Sequence, residues 1–86
     1  MSEPEAHERV EIAQSLNCRG MICPLPIYKT STALKGLAVN DVLEIVCTDP
    51  AAPSDFKALA AQTGHALLKS EEVDGVQTFW LRKQAR

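Results

Sequence analysis

The residues best placed to do chemistry lie together at Cys23-Pro24-Leu25-Pro26. Proline lacks a backbone N–H and has its φ fixed near the helical value. It therefore suits the first turn of a helix, where a donor would find no intrahelical partner. The two prolines predict a helix opening at Pro24, with Cys23 as its N-cap. A thiol at that position faces unpaired N–H groups that carry partial positive charge. An ordinary cysteine, with a pKa near 8.5, is only about 3% ionised at neutral pH, whereas at helix N-termini the value falls to roughly 3.5–7.5. The thiolate is the nucleophilic form, so this placement points to a reactive sulfur. The prolines stiffen the turn, Gly20 belongs to the turn before it, and Arg19 brings positive charge from upstream. The competing reading is a cysteine that packs as a small apolar side chain, as cysteines commonly do. A position at an element boundary favours exposure over burial.

Two further cysteines need separate readings. Cys18 precedes Cys23 by five residues. As a secondary thiol it would resolve or form a disulfide with Cys23. As packing it is a small side chain at a strand end, the favoured reading, since the spacing matches no redox box. Cys47 sits within an apolar strand and reads as core. The cysteines lack the short-spaced ligand pairs of structural zinc, so no metal site and no cofactor are expected. His65 suits a helix C-terminus, Asp49 suits the start of the second helix, and Lys29 and Lys35 read as a solvated helix face. Of Phe79 and Trp80, adjacent on one strand, one belongs to the core.

The elements that position these residues follow from local pattern. A strand is expected over 12–18, a turn over 19–22, and the helix to about residue 37 or 38. Ile27, Ala33, Leu34 and Leu37 form its apolar stripe. Residues 42–47 (Val-Leu-Glu-Ile-Val-Cys) form the clearest strand, ended by Asp49-Pro50. Phe56, Leu59, Ala60 and Thr63 recur at helical spacing, so a second helix should span about 53–63 and stop at Gly64. Strands over 66–73 and 76–82 flank Asp74-Gly75, a strong two-residue hairpin signal. The order β-α-β-α-β-β predicts an α/β two-layer sandwich, a four-stranded mixed sheet with two helices on one face. Residues 1–11 read as a mobile tail and 12–84 as the single domain.

Composition narrows the function classes. A chain of 86 residues cannot enclose a large cofactor, so its chemistry should sit at the surface and involve a partner. A net charge of −2 argues against binding nucleic acid, which requires a basic face. No apolar run is long enough to span a membrane, and the acidic N-terminus is no signal peptide. Three cysteines, an odd number, exclude a fully paired disulfide framework and fit a reducing, cytoplasmic setting. From the residues alone, three readings stay open: a nucleophilic sulfur at Cys23, a thiol–disulfide redox protein using Cys18 and Cys23, and a non-catalytic regulatory interaction module.

The stretch Leu16-Asn17-Cys18-Arg19-Gly20-Met21-Ile22-Cys23-Pro24-Leu25-Pro26 resembles the start of the TusA (SirA-like) sulfur-carrier family, whose signature is Cys-Pro-x-Pro after a glycine-containing turn. The likeness continues through Thr48-Asp49-Pro50-Ala51, Asp55, Gly64-His65 and Leu81-Arg82-Lys83, over roughly residues 12–84. It implies a small cytoplasmic sulfurtransferase that holds a persulfide on Cys23. The sulfur would come from a cysteine desulfurase or a rhodanese-type donor and pass to a cysteine-bearing acceptor protein. The processes served would be tRNA thiolation, molybdenum-cofactor chemistry or the oxidation of reduced sulfur compounds. A monomer without direct nucleic-acid or membrane contact is expected. Two residues depart from the usual pattern: Leu25 stands where many members carry an acidic residue, and Asn17 where Asp is frequent. Both remove negative charge near the sulfur and should lower its pKa further.

Overall fold

The computed structural model describes residues 11–84. The tail expected over residues 1–11 falls, but for residue 11, outside the described residues. The elements are β1 (Ile12–Cys18), α1 (Leu25–Lys35), β2 (Val42–Cys47), α2 (Ala52–Thr63), β3 (Ala66–Val73) and β4 (Val76–Arg82). The four strands form one sheet in the order β1-β2-β4-β3. The β1–β2 pair is parallel, and β4 runs antiparallel to both β2 and β3. The expected mixed sheet and β-α-β-α-β-β order are therefore present.

Strand alternation sorts the two faces of the sheet. Leu43, Ile45 and Cys47 of β2 and Phe79 and Leu81 of β4 are buried, joined in the core by Leu34 of α1 and Ala52, Phe56 and Leu59 of α2. Phe56 stacks on Phe79 with ring centroids 4.5 Å apart, pinning α2 to the sheet. Trp80, one residue on, lies on the opposite face. There its indole N–H donates to Glu44 Oε2 (3.1 Å), the Ser15 hydroxyl donates to Glu44 Oε1 (2.7 Å), and the Lys69 ammonium sits 5.5 Å from the ring. One sheet face carries the helices and the other a hydrogen-bonded polar surface.

Local signals account for the element ends. Asp74 (φ 52°) and Gly75 (φ 80°) hold the left-handed pair that a tight hairpin turn requires. Gly64, at φ 82°, closes α2 and donates its N–H to the Ala60 carbonyl. Helix α1 differs from expectation at both ends. It stops at Lys35 because Gly36 and Leu37 turn their N–H groups to the carbonyls three residues back (Ala33 and Leu34), tightening the last turn. It starts at Leu25 because the Leu25 N–H donates to the Ile22 carbonyl (3.0 Å), closing a separate turn over 22–25. No described helix is long and apolar enough to cross a membrane.

Candidate functional site

The site forms where the two parallel strands end. Since β1 and β2 run side by side in the same direction, the segments leaving their C-terminal ends emerge next to each other. Residues 19–24 follow β1, and residues 48–51 follow β2. Hydrogen bonds join the two segments. The Gly20 N–H donates to Thr48 Oγ1 (2.9 Å), and the Cys23 N–H donates to Asp49 Oδ2 (2.8 Å). Gly20 holds φ 79°, a conformation a side chain would strain, and this bend lets its amide face Thr48. The other Asp49 oxygen accepts the Ala51 N–H (3.0 Å) at the start of α2. Asp49 does not cap α2, whose N-cap is Ala51 with no side-chain cap, but it ties the residue that opens α2 to the cysteine loop.

Cys23 is exposed, whereas Cys18 and Cys47 are fully buried. It does not cap α1. The N-cap is Pro24, whose carbonyl accepts the Tyr28 N–H, and no side chain caps this end. Pro24 and Pro26 have no N–H to offer, and the Leu25 N–H is bound to Ile22. The opening turn is left with at most the Ile27 amide to face the sulfur. Pro26 is buried and sits in the first turn, where its missing N–H leaves no intrahelical bond unmade. Arg19 donates its backbone N–H to Asn17 Oδ1 (3.1 Å).

The electrostatics run opposite to the expected direction. The Cys23 thiol is held above its usual pKa, first by a hydrogen bond to the Asp55 carboxylate, then by partial desolvation and by the negative charges of Asp55 and Asp49. The expectation rested on the helix N-terminus, on Arg19 and on the uncharged Leu25 and Asn17, and did not include these two carboxylates. Asp49 itself is held below the ordinary carboxylate range, because the Ala51 and Cys23 amides stabilise its charge. These effects favour the neutral thiol over the thiolate. The thiol becomes a nucleophile as its proton leaves.

Cys18 and Cys47 are register partners at the ends of β1 and β2. Burial pushes Cys47 up to about 12 and raises Cys18 as well. Both belong to the core, and this weighs against Cys18 as a resolving thiol. Around Cys23 the surface is apolar. Ile22, Leu25 and Tyr28 are all exposed, Ile22 by 74%. Reading the sequence missed Asp55 as a neighbour of the sulfur. The available signal was topological, since a β-α-β unit with parallel strands brings the two loops together. His65 lies at the far end of α2, where its Nδ1 accepts the Gln84 N–H (3.0 Å).

Residues 14–83 match the family model described as Sulfurtransferase TusA. The chain is 46% identical over 67 residues to a candidate sulfur carrier protein of Neisseria meningitidis serogroup A, covering 78% of this chain and 90% of that protein. It is 39% identical over 70 residues to the sulfur carrier protein TusA of Allochromatium vinosum, covering 81% and 92%. A solved SirA-like protein from Desulfitobacterium hafniense superposes with a TM-score of 0.74 over 84% of this chain and 99% of that one, at 19% identity, a likeness of fold.

Proposed function

The chain belongs to the TusA sulfurtransferase family, and from that premise we propose that it carries sulfur as a persulfide on Cys23 between protein partners. One observation carries the assignment to Cys23: of the three cysteines it alone is exposed, on a loop held in place by Thr48 and Asp49. The Cys23 thiolate attacks the outer sulfur of a donor persulfide, and the donor thiolate leaves. An acceptor cysteine then attacks the outer sulfur now on Cys23, which leaves as thiolate in turn. Each step exchanges one S–S bond for another and needs no external oxidant. Its rate follows the thiolate fraction, the leaving-group pKa and access. Pro24, Pro26 and Gly20 shape the loop. Exposed Ile22, Leu25 and Tyr28 supply apolar surface against which a partner can dock beside the sulfur. Because both partners must reach the same atom, they exclude one another. A cytoplasmic setting fits free thiols, with a cysteine desulfurase or rhodanese-type protein as donor. The processes served would be tRNA thiolation, molybdenum-cofactor chemistry or sulfur-compound oxidation.

Intact-protein mass spectrometry tests the proposal. After mixing with a desulfurase and cysteine, or a rhodanese and thiosulfate, the wild type should gain one sulfur atom that reductant removes. Cys23→Ser should gain none. Retention of the sulfur in that variant, or labelling that follows Cys47, would overturn it.

A further inference from the structure

Gln77 is the polar member of a core-facing row. It alternates with Phe79 and Leu81 along β4, and all three are buried. In register it pairs with Cys47, the last residue of β2, so it stands level with the start of the loop that leaves that strand. Its amide Nε2 donates to the Asp49 carbonyl (3.2 Å), which also accepts the Ala52 N–H (3.0 Å). A carbonyl only accepts, so this bond fixes which way the amide faces. Its Oε1 is left buried, with no hydrogen-bond partner among the described residues. A methionine of the same length would avoid that cost, so packing alone does not favour glutamine here. What glutamine adds is the bond to Asp49.

Asp49 is where the sheet meets the cysteine loop. Its carboxylate accepts the Cys23 N–H (2.8 Å) and the Ala51 N–H (3.0 Å). Both bonds depend on the backbone of residue 49 keeping its place. Gln77 ties that backbone to β4, a strand paired on both sides. We infer that Gln77 is a positioning residue for sulfur exchange: it holds the Asp49 backbone against β4, keeps the Asp49 carboxylate on the Cys23 amide, and so fixes the direction from which the Cys23 sulfur meets a docked partner. The inference rests on Cys23 being the exchanging sulfur. Attack on an S–S bond requires the incoming sulfur in line with the bond that breaks. A loop that wanders therefore lowers the rate without altering the chemistry of the thiol. Gln77 acts through Asp49, and its contribution is geometric.

Gln77→Met keeps the length of the side chain and removes the donor. Hydrogen exchange on the full chain, read amide by amide by NMR, should show the Cys23 N–H exchanging about threefold to tenfold faster than in wild type, the worth of one hydrogen bond. Amides inside β2 and β4 should keep their wild-type rates or slow, because the unmet Oε1 has gone. With a rhodanese preloaded from thiosulfate as donor, sulfur transfer to Cys23 should slow by a similar factor. Iodoacetamide alkylation of Cys23, which needs no docked geometry, should change far less. A Cys23 amide that keeps its wild-type rate in Gln77→Met, or that speeds up in step with the β2 and β4 amides, would overturn the inference. So would a loss of transfer matched by an equal loss of alkylation. The amide measurement decides the role of Gln77 whether or not Cys23 carries sulfur. The carrier role is read separately, from sulfur loading in wild type against Cys23→Ser.

Discussion

At the scale of single residues, Cys23 is defined by what lies across the loop from it. The negative charges of Asp55 and Asp49 both resist ionisation of the thiol. The pH dependence follows in sign. The thiolate fraction stays below that of an ordinary cysteine at neutral pH, so iodoacetamide alkylation should rise with a midpoint above that of a free cysteine peptide. In Asp55→Asn the midpoint should move down toward it. The same reagent should modify one thiol in the native protein and all three cysteines in denaturant, because Cys18 and Cys47 are sealed in the core. Counting alkylated masses checks this, and two modified thiols in the folded state would contradict the burial described. The sequence made Cys23 legible through its prolines, a local signal. It did not reveal Asp55, whose approach depends on strand pairing between distant segments.

At the scale of elements, Asp74-Gly75 and Gly64 announced their turns because backbone conformation at such positions depends on the residue itself. The ends of α1 were less legible. There, competing hydrogen bonds of Leu25, Gly36 and Leu37 decide the boundary, and residue type does not encode them. The interior of α1 holds a testable imperfection. Thr30 is fully buried, and its hydroxyl has no hydrogen-bond partner. An unpaired buried hydroxyl costs roughly 1–3 kcal/mol, and replacing it with an apolar group of the same shape removes that cost. Thr30→Val should therefore stabilise the protein by about 1 kcal/mol in urea unfolding, with sulfur loading on Cys23 unchanged. A loss of stability would mean that the hydroxyl is satisfied in solution.

For the whole molecule, a small domain retains only roughly 0.05–0.15 kcal/mol per residue of net stability. Its core is correspondingly short of spare contacts. The same few side chains, Phe56 and Phe79 above all, hold α2 and hence Asp55 against the sheet. The buried thiols link this stability to pH. Cys47 is pushed up to about 12, whereas an unfolded cysteine ionises near 8.5–9. The unfolded chain therefore sheds this proton first. The contribution is complete below pH ~9 and is lost as pH rises toward about 12. The melting temperature should fall through this alkaline window. Cys47→Ala should start lower, through loss of packing, but decline less steeply. Parallel curves for the two proteins would remove Cys47 as the cause.

Asp49 spends each of its oxygens on the amide of a different segment, one on Cys23 and one on Ala51. An asparagine there would turn an NH₂ group toward one of those amides, so discharging the position also unfastens it. Engineers wishing to tune the sulfur's acidity therefore have one adjustable screw, Asp55. The other carboxylate is a rivet, and drilling it out would change the shape of the part they meant only to retune.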